Sequence, residues 1–342
     1  MKELTISLST GISASFTELG DPRGQPVLLL HGYTDTRRSF SETMRQLTRL
    51  RPDLRLIAPD LRGHGASSSH SAAAHREHPE RAFRIEDFAA DALALLDALG
   101  IERAHIVGHS LGSFVAQELA LTHPARIGQI VLIGSSAKIA GNPVISELVL
   151  AQLLEVQWRN ALEARGLAYP QDAYELTPRD LDPDAEAWLL ANWVQEPLAD
   201  RELLASIAAE TASVRLGAWI GVARAVLGMD NRERLRDLSI PTLVLWSTQD
   251  AICPEHPDQL ALINALEQAS QRVGLDYAFE RFGDKPLPPS GQTEDDLGHN
   301  FLWAIPERVA QSIAAFLAPK RSARHDAQRP DRRSTDKLSP EP

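Results

Sequence analysis

Two habits of apolar spacing alternate along the first part of the chain. Leu4-Thr5-Ile6-Ser7-Leu8 alternates apolar and polar residues, and Ile12 to Leu19 does so again after Thr10-Gly11, which predicts an opening β-hairpin. Pro26 to Leu30 is a continuous apolar run of strand length, and Leu54 to Ala58 is another but for Arg55; they end at His31-Gly32 and Pro59-Asp60. Between them Phe40, Met44 and Leu47 mark one face of a helix. Ile85 to Leu99 carries Phe88, Ala92, Leu95 and Leu96 at helical spacing and is closed by Gly100. Ala104 to Val107 and Ile130 to Ile133 read as two more buried strands, with a helical pattern from Ser113 to Leu121 between them. Strands alternating with helices in this way predict an α/β fold, a mostly parallel central sheet covered by helices on both faces.

From 135 to 238 the alternation stops. Three helical stretches follow, Ile145 to Arg165, Ala185 to Val194 and Arg201 to Leu227, and four of the six tryptophans fall among them: Trp158, Trp188, Trp193 and Trp219. This predicts an inserted helical lid. The strand pattern resumes with Ile240 to Trp246 and Tyr277 to Phe282, and a last helix runs from Pro306 to Leu317 with proline in its first turn. The expected organisation is therefore a core of residues 1–134 and 239–318, a lid of 135–238 and a tail of 319–342. The tail has almost no apolar residues and is expected to be disordered.

Composition narrows the class. At 342 residues and 43% apolar content the chain can bury a large core. A net charge of -11 argues against nucleic acid or an anionic membrane as partner, since both require a basic face. No apolar run reaches the length of a membrane span, and the first residues lack the apolar core of a signal peptide. Cys253 is the single cysteine, so no internal disulfide forms. A soluble cytoplasmic protein is expected, and nothing in the pattern specifies its oligomeric state.

The chemistry centres on Gly108-His109-Ser110-Leu111-Gly112, placed between a buried strand and a helix. A strand turning sharply into a helix through Gly-x-Ser-x-Gly is a nucleophile elbow, and it pushes the Ser110 hydroxyl out at a helix N-terminus. A serine hydroxyl needs a base within reach, itself oriented by a third group. In this architecture the order is serine, acid, histidine. Asp250 follows the strand that ends at Trp246, and His299 follows the last strand, so both fall at strand ends. Asp295 and Asp296 are rival acids that rank lower, because a rigid strand end positions a side chain better than a neighbouring loop does. The backbone N–H groups of Leu111 and Tyr33 are the expected oxyanion donors. His70, His75 and His78 read as a solvated loop rather than a metal site, and Cys253 as a packed thiol.

These motifs, His31-Gly32, Asp60-Leu61-Arg62-Gly63-His64-Gly65, Gly108 to Gly112, Asp250 and Gly298-His299, resemble those of the α/β-hydrolase superfamily from Gly20 to Leu317, lid and tail aside. The resemblance implies a Ser-His-Asp hydrolase that uses no cofactor and no metal, with Asp60, Arg62 and His64 bracing a loop. Relatives that open epoxides or remove halide carry aspartate at the elbow, where this chain has Ser110. Carbon–carbon hydrolases resemble Gly-Asn-Ser-x-Gly-Gly, from which His109 and Ser113 depart. Residues 283–296 are longer than the usual link to the histidine and are expected to border the active-site mouth. The function expected is hydrolysis of a carboxylic ester, lactones included, of a small and largely apolar substrate. Carbon–carbon or thioester hydrolysis, acyl transfer on the same triad, and ligand binding without turnover stay open.

Overall fold

Leu28 and Leu30 face one side of a sheet and Val27 and Leu29 the other, and all four are fully buried. A strand with no polar face can only sit between two layers. The computed structural model describes residues 2–70, 72–283 and 296–319. Its eight strands are β1 (Lys2–Ser7), β2 (Ser13–Gly20), β3 (Gln25–Leu30), β4 (Leu54–Pro59), β5 (Ala104–His109), β6 (Ile127–Ile133), β7 (Thr242–Ser247) and β8 (Tyr277–Phe282). They form one sheet in the order β1-β2-β4-β3-β5-β6-β7-β8. β2 runs antiparallel to both of its neighbours, β1 and β4, and every other pairing is parallel.

Two hydrophobic layers follow from the alternation along the strands. The helices Ile85–Ala98, Leu111–Thr122 and Leu260–Val273 pack on the Leu28 side through residues such as Phe88, Val115 and Leu266. The helices Ser41–Leu50 and Pro306–Phe316 pack on the Val27 side through Met44, Leu47, Val309 and Ile313. At roughly 2 kcal/mol for each fully buried large aliphatic side chain, these two layers supply the main driving force for the fold.

The chain between β6 and β7 is helical, as the spacing predicts. Its base is closed where residues 137–139 meet 229–231: Lys138 bridges Asp230, and the Asn231 N–H donates to the Ala137 carbonyl at 2.8 Å. Val144–Trp158 is a helix of wide π geometry that continues as Arg159–Glu163, and Ala185–Asn192 is the second helical stretch. The expected helix from Arg201 to Leu227 is two helices, Arg201–Thr211 and Leu216–Val226, bent by 94°. The break has a physical cause. The N–H groups of Leu216 and Gly217 donate to the carbonyls of Leu176 and Tyr174, at 2.7 and 3.1 Å, so tertiary bonds replace helical ones there. Among the described residues no single helix is long and apolar enough to cross a membrane. Residues 284–295 of the long loop, with Asp295, and 320–342 of the expected tail lie outside the described residues.

Candidate active site

Ser110 occupies φ 49°, ψ −116°, a strained conformation for a residue with a side chain. The elbow holds it there because the residues two positions away on either side, Gly108 and Gly112, have no side chains. A Cβ on Gly112 would collide with the carbonyl oxygen of Leu30, and one on Gly108 with that of Gly112. The Ser110 N–H donates to the Ile133 carbonyl at 2.9 Å, which pins the turn to the end of β6. Leu111 is the first residue of the following helix, so its N–H has no acceptor within that helix. The Gly112 N–H donates to His31 O at 3.1 Å and ties the elbow to the loop carrying Tyr33.

Asp250 and His299 come together from opposite sides of a long sequence gap. Both carboxylate oxygens of Asp250 lie 2.9 Å from Nδ1 of His299. The Ile252 and Cys253 N–H groups donate to Asp250 Oδ1 at 3.0 and 2.8 Å, fixing the carboxylate in place. With Nδ1–H committed to Asp250, Nε2 of His299 carries a lone pair; it is buried and has no hydrogen-bond partner. Burial opposes the charged imidazolium, but the Asp250 carboxylate, aided by Asp35 and Glu196, outweighs it and holds the His299 pKa above 6.5. The rival acid Asp296 is exposed.

Ser110, His299 and Tyr33 line one cleft. Its walls are largely apolar: Ile145, Trp193, Val194, Ile252 and Trp303. The Tyr33 phenol does not point a free hydroxyl at the cleft, because it donates to the Trp219 carbonyl at 2.5 Å. Beneath this loop His31 is held neutral, its pKa lowered to about 3 by burial and by the nearby His64. Its Nε2 accepts the Leu61 N–H at 2.9 Å while Nδ1–H donates to Gly32 O at 2.8 Å. Asp60 pairs with Arg37, Arg62 bonds Asp91 at 2.6 Å, and His64 bonds the Arg62 carbonyl at 2.9 Å. All three sequence-marked loop residues are thus engaged in holding the turn.

Four residues that the sequence did not single out belong to the site. Asp35 lines the cleft, with Oδ2 3.7 Å from Nδ1 of His109, beyond hydrogen-bonding distance. His109 Nε2 lies 3.2 Å from the carbonyl of His299. Trp193 donates from Nε1 to Thr34 Oγ1 at 2.8 Å. Glu196 is buried and accepts the Gly298 N–H at 3.0 and 3.1 Å. His109 stood inside the elbow motif and Trp193 among the tryptophans of the helical insert; Asp35 and Glu196 carry no local signal.

Asp250, Cys253 and His299 bring three ligand-type atoms within 4.8 Å of one another. They do not fit a metal. Both Asp250 oxygens are already engaged, and burial, with the Asp250 and Asp258 carboxylates nearby, keeps the Cys253 thiol protonated.

The model of the alpha/beta hydrolase fold matches residues 25–274. The chain belongs to the alpha/beta hydrolase fold family. Among its relatives in that family, it is 29% identical over 239 residues to epoxide hydrolase B of Mycobacterium tuberculosis, a match covering 67% of this chain and 64% of the relative. It is 28% identical over 197 residues to 3-oxoadipate enol-lactonase 2 of Acinetobacter baylyi, covering 58% of this chain and 62% of that one. The chain thus spans less than two thirds of the length of these relatives. The enol-lactonase structure from Burkholderia xenovorans shares the fold with a TM-score of 0.62 at 19% identity, covering 92% of this chain and 99% of the other.

Proposed function

We propose that the protein is a serine hydrolase that cleaves a carboxylic ester, lactones included, of a small and largely apolar substrate through an acyl-enzyme. The observation that carries this reading is the pairing of His299 Nδ1 with Asp250, which leaves a buried, unpartnered Nε2 in the cleft that Ser110 lines. In this reading Ser110 Oγ attacks the carbonyl carbon while His299 Nε2 takes its proton. Asp250 holds the ring and stabilises the imidazolium. The Leu111 and Tyr33 N–H groups receive the oxyanion, each such donor contributing on the order of 3 kcal/mol in the transition state. His299 then returns the proton to the departing alkoxide, and water, deprotonated by the same nitrogen, releases the acid.

The cleft supports the substrate class. Its apolar walls suit an uncharged acyl or alkyl chain, and Asp35 places a carboxylate inside it. We read the helices between β6 and β7 as its lid, because Ile145, Trp193 and Val194 of that segment form part of the wall. Opening an epoxide in this family calls for a carboxylate at the elbow, and Ser110 stands there instead.

Labelling with a fluorophosphonate, beside turnover of p-nitrophenyl esters of graded chain length, lactones and thioesters, tests the reading. Ser110 is expected to be modified stoichiometrically. Ser110→Ala is expected to lose on the order of 10⁴- to 10⁶-fold in kcat while remaining folded. Turnover retained in that variant removes Ser110 from the mechanism.

A further inference from the structure

The segment Trp193 to Glu196 borders the cleft through Trp193 and Val194 and is bonded to both halves of the candidate machinery. At one end the Trp193 indole donates to Thr34, the residue after the proposed oxyanion donor Tyr33. In the middle Val194 lines the cleft, and the Gln195 carbonyl accepts from the Asn300 side chain at 3.2 Å. At the other end the Glu196 carboxylate accepts the Gly298 N–H through both oxygens, and the Asn300 backbone N–H favours its charged form. His299 lies between Gly298 and Asn300, the two residues this segment holds.

We infer that Glu196 is a positioning residue, which clamps the backbone on either side of His299 and, through Trp193 and Thr34, sets the base against the oxyanion donors. This rests on the proposed serine-hydrolase reading of the site. The location of Glu196 argues for the role. A carboxylate that is 1% exposed is costly to bury, and a merely structural contact to two N–H groups is met as well by a neutral carbonyl. Burial raises its pKa to about 7, against the N–H bonds and the His299 attraction, with the Asp250 carboxylate raising it further. Glu196 in turn raises the pKa of His299, so the two groups hold each other's charge near neutral pH. The charged groups facing it are His299 and Asp250.

Glu196→Gln tests this. The amide carbonyl can still accept one N–H, but its NH₂ group opposes the second, and the negative charge is gone. The expected result is a kcat reduced about 10- to 100-fold, KM within about twofold, and the acid limb of kcat/KM moved down by roughly half a pH unit. Trp193→Phe, which removes the Thr34 bond and trims one aromatic wall of the cleft but leaves the Glu196 contacts in place, is expected to lower kcat with the limb unmoved. Should Glu196→Gln not fold, Gly298→Ala reads the same contact from the other side, since its Cβ would lie 3.2 Å from Glu196 Oε2. Nuclear magnetic resonance titration of the His299 ring and amide exchange at Gly298 and Asn300 give readouts that need no turnover. A lower His299 pKa and faster exchange in the variant support the clamp even if no ester is cleaved, in which case the serine-hydrolase reading alone falls. A variant with wild-type kcat, an unmoved limb and unchanged exchange overturns the clamp and leaves that reading standing.

Discussion

The imidazole of His299 is buried, yet it is held above its ordinary pKa, because the Asp250 carboxylate offsets the cost of burying its charge. A general base works only when neutral, so kcat/KM is expected to fall on the acid side with a midpoint above 6.5. Asp250→Asn removes the largest attraction and presents an amide to Nδ1. We expect kcat to drop about 10³- to 10⁴-fold and the midpoint to move to lower pH, as read from a pH–rate profile. Asp35 lines the cleft and also raises the His299 pKa. A carboxylate a few ångströms from a bound anion costs on the order of 1 to 3 kcal/mol at the effective dielectric of a partly open cleft. Asp35→Asn is therefore expected to raise kcat/KM about tenfold or more for an ester bearing a carboxylate on its acyl chain, relative to its neutral isostere. Equal effects on the two esters would show that Asp35 does not face the substrate.

At the level of elements, the sequence was most legible where one physical requirement dominates a short stretch. Continuous apolar runs such as Val27 to Leu30 have no solvated face, so they read correctly as inner strands. The elbow was visible because two fixed glycines are the only residues that fit between Leu30 and the turn. Asp250 and His299 were found by chain order and strand-end position, and the structure brings these two together. Legibility failed where long-range bonds override local pattern. The stretch from Arg201 to Leu227 keeps helical spacing throughout, yet it bends because carbonyls of Tyr174 and Leu176 capture its N–H groups. Glu196 is a single acid before Pro197, and its partners are backbone groups 102 residues away, which no local pattern records. Residue 35 was likewise silent, because an aspartate in a loop ordinarily reads as a turn former.

For the whole molecule, buried titratable groups set the pH range of stability. Burial lowers the His31 pKa to about 3 and that of His105 to about 4, and it lowers that of His64 as well. A histidine depressed in the fold is neutral there but protonates near 6.5 when unfolded, so its contribution is present above 6.5 and is lost as pH falls toward the folded value. Glu196, raised to about 7, has the opposite effect: the folded chain keeps a proton that the unfolded chain releases near 4.5. Its contribution is present below 4.5 and is lost as pH rises through about 7, and raised His299 is likewise lost above 6.5. Between pH 4.5 and 6.5 the strongly depressed His31 and His105 outweigh Glu196, with His64 and His75 acting in the same sense as the two histidines and Asp258 in the sense of Glu196, so stability rises with pH. Above that range Glu196 and His299 turn it down. The thermal midpoint is therefore expected to peak at about pH 6 to 7, measured by circular dichroism across pH 4 to 9. His105→Gln removes one of these histidines without touching the cleft. Near pH 5 its stability is expected to lose about 1.4 kcal/mol per pH unit of acid-side slope relative to the parent, since one proton fewer is taken up on unfolding. An acid slope identical in the variant would mean that His105 is protonated in the folded chain, and the balance would then have to be carried by His31 and His64.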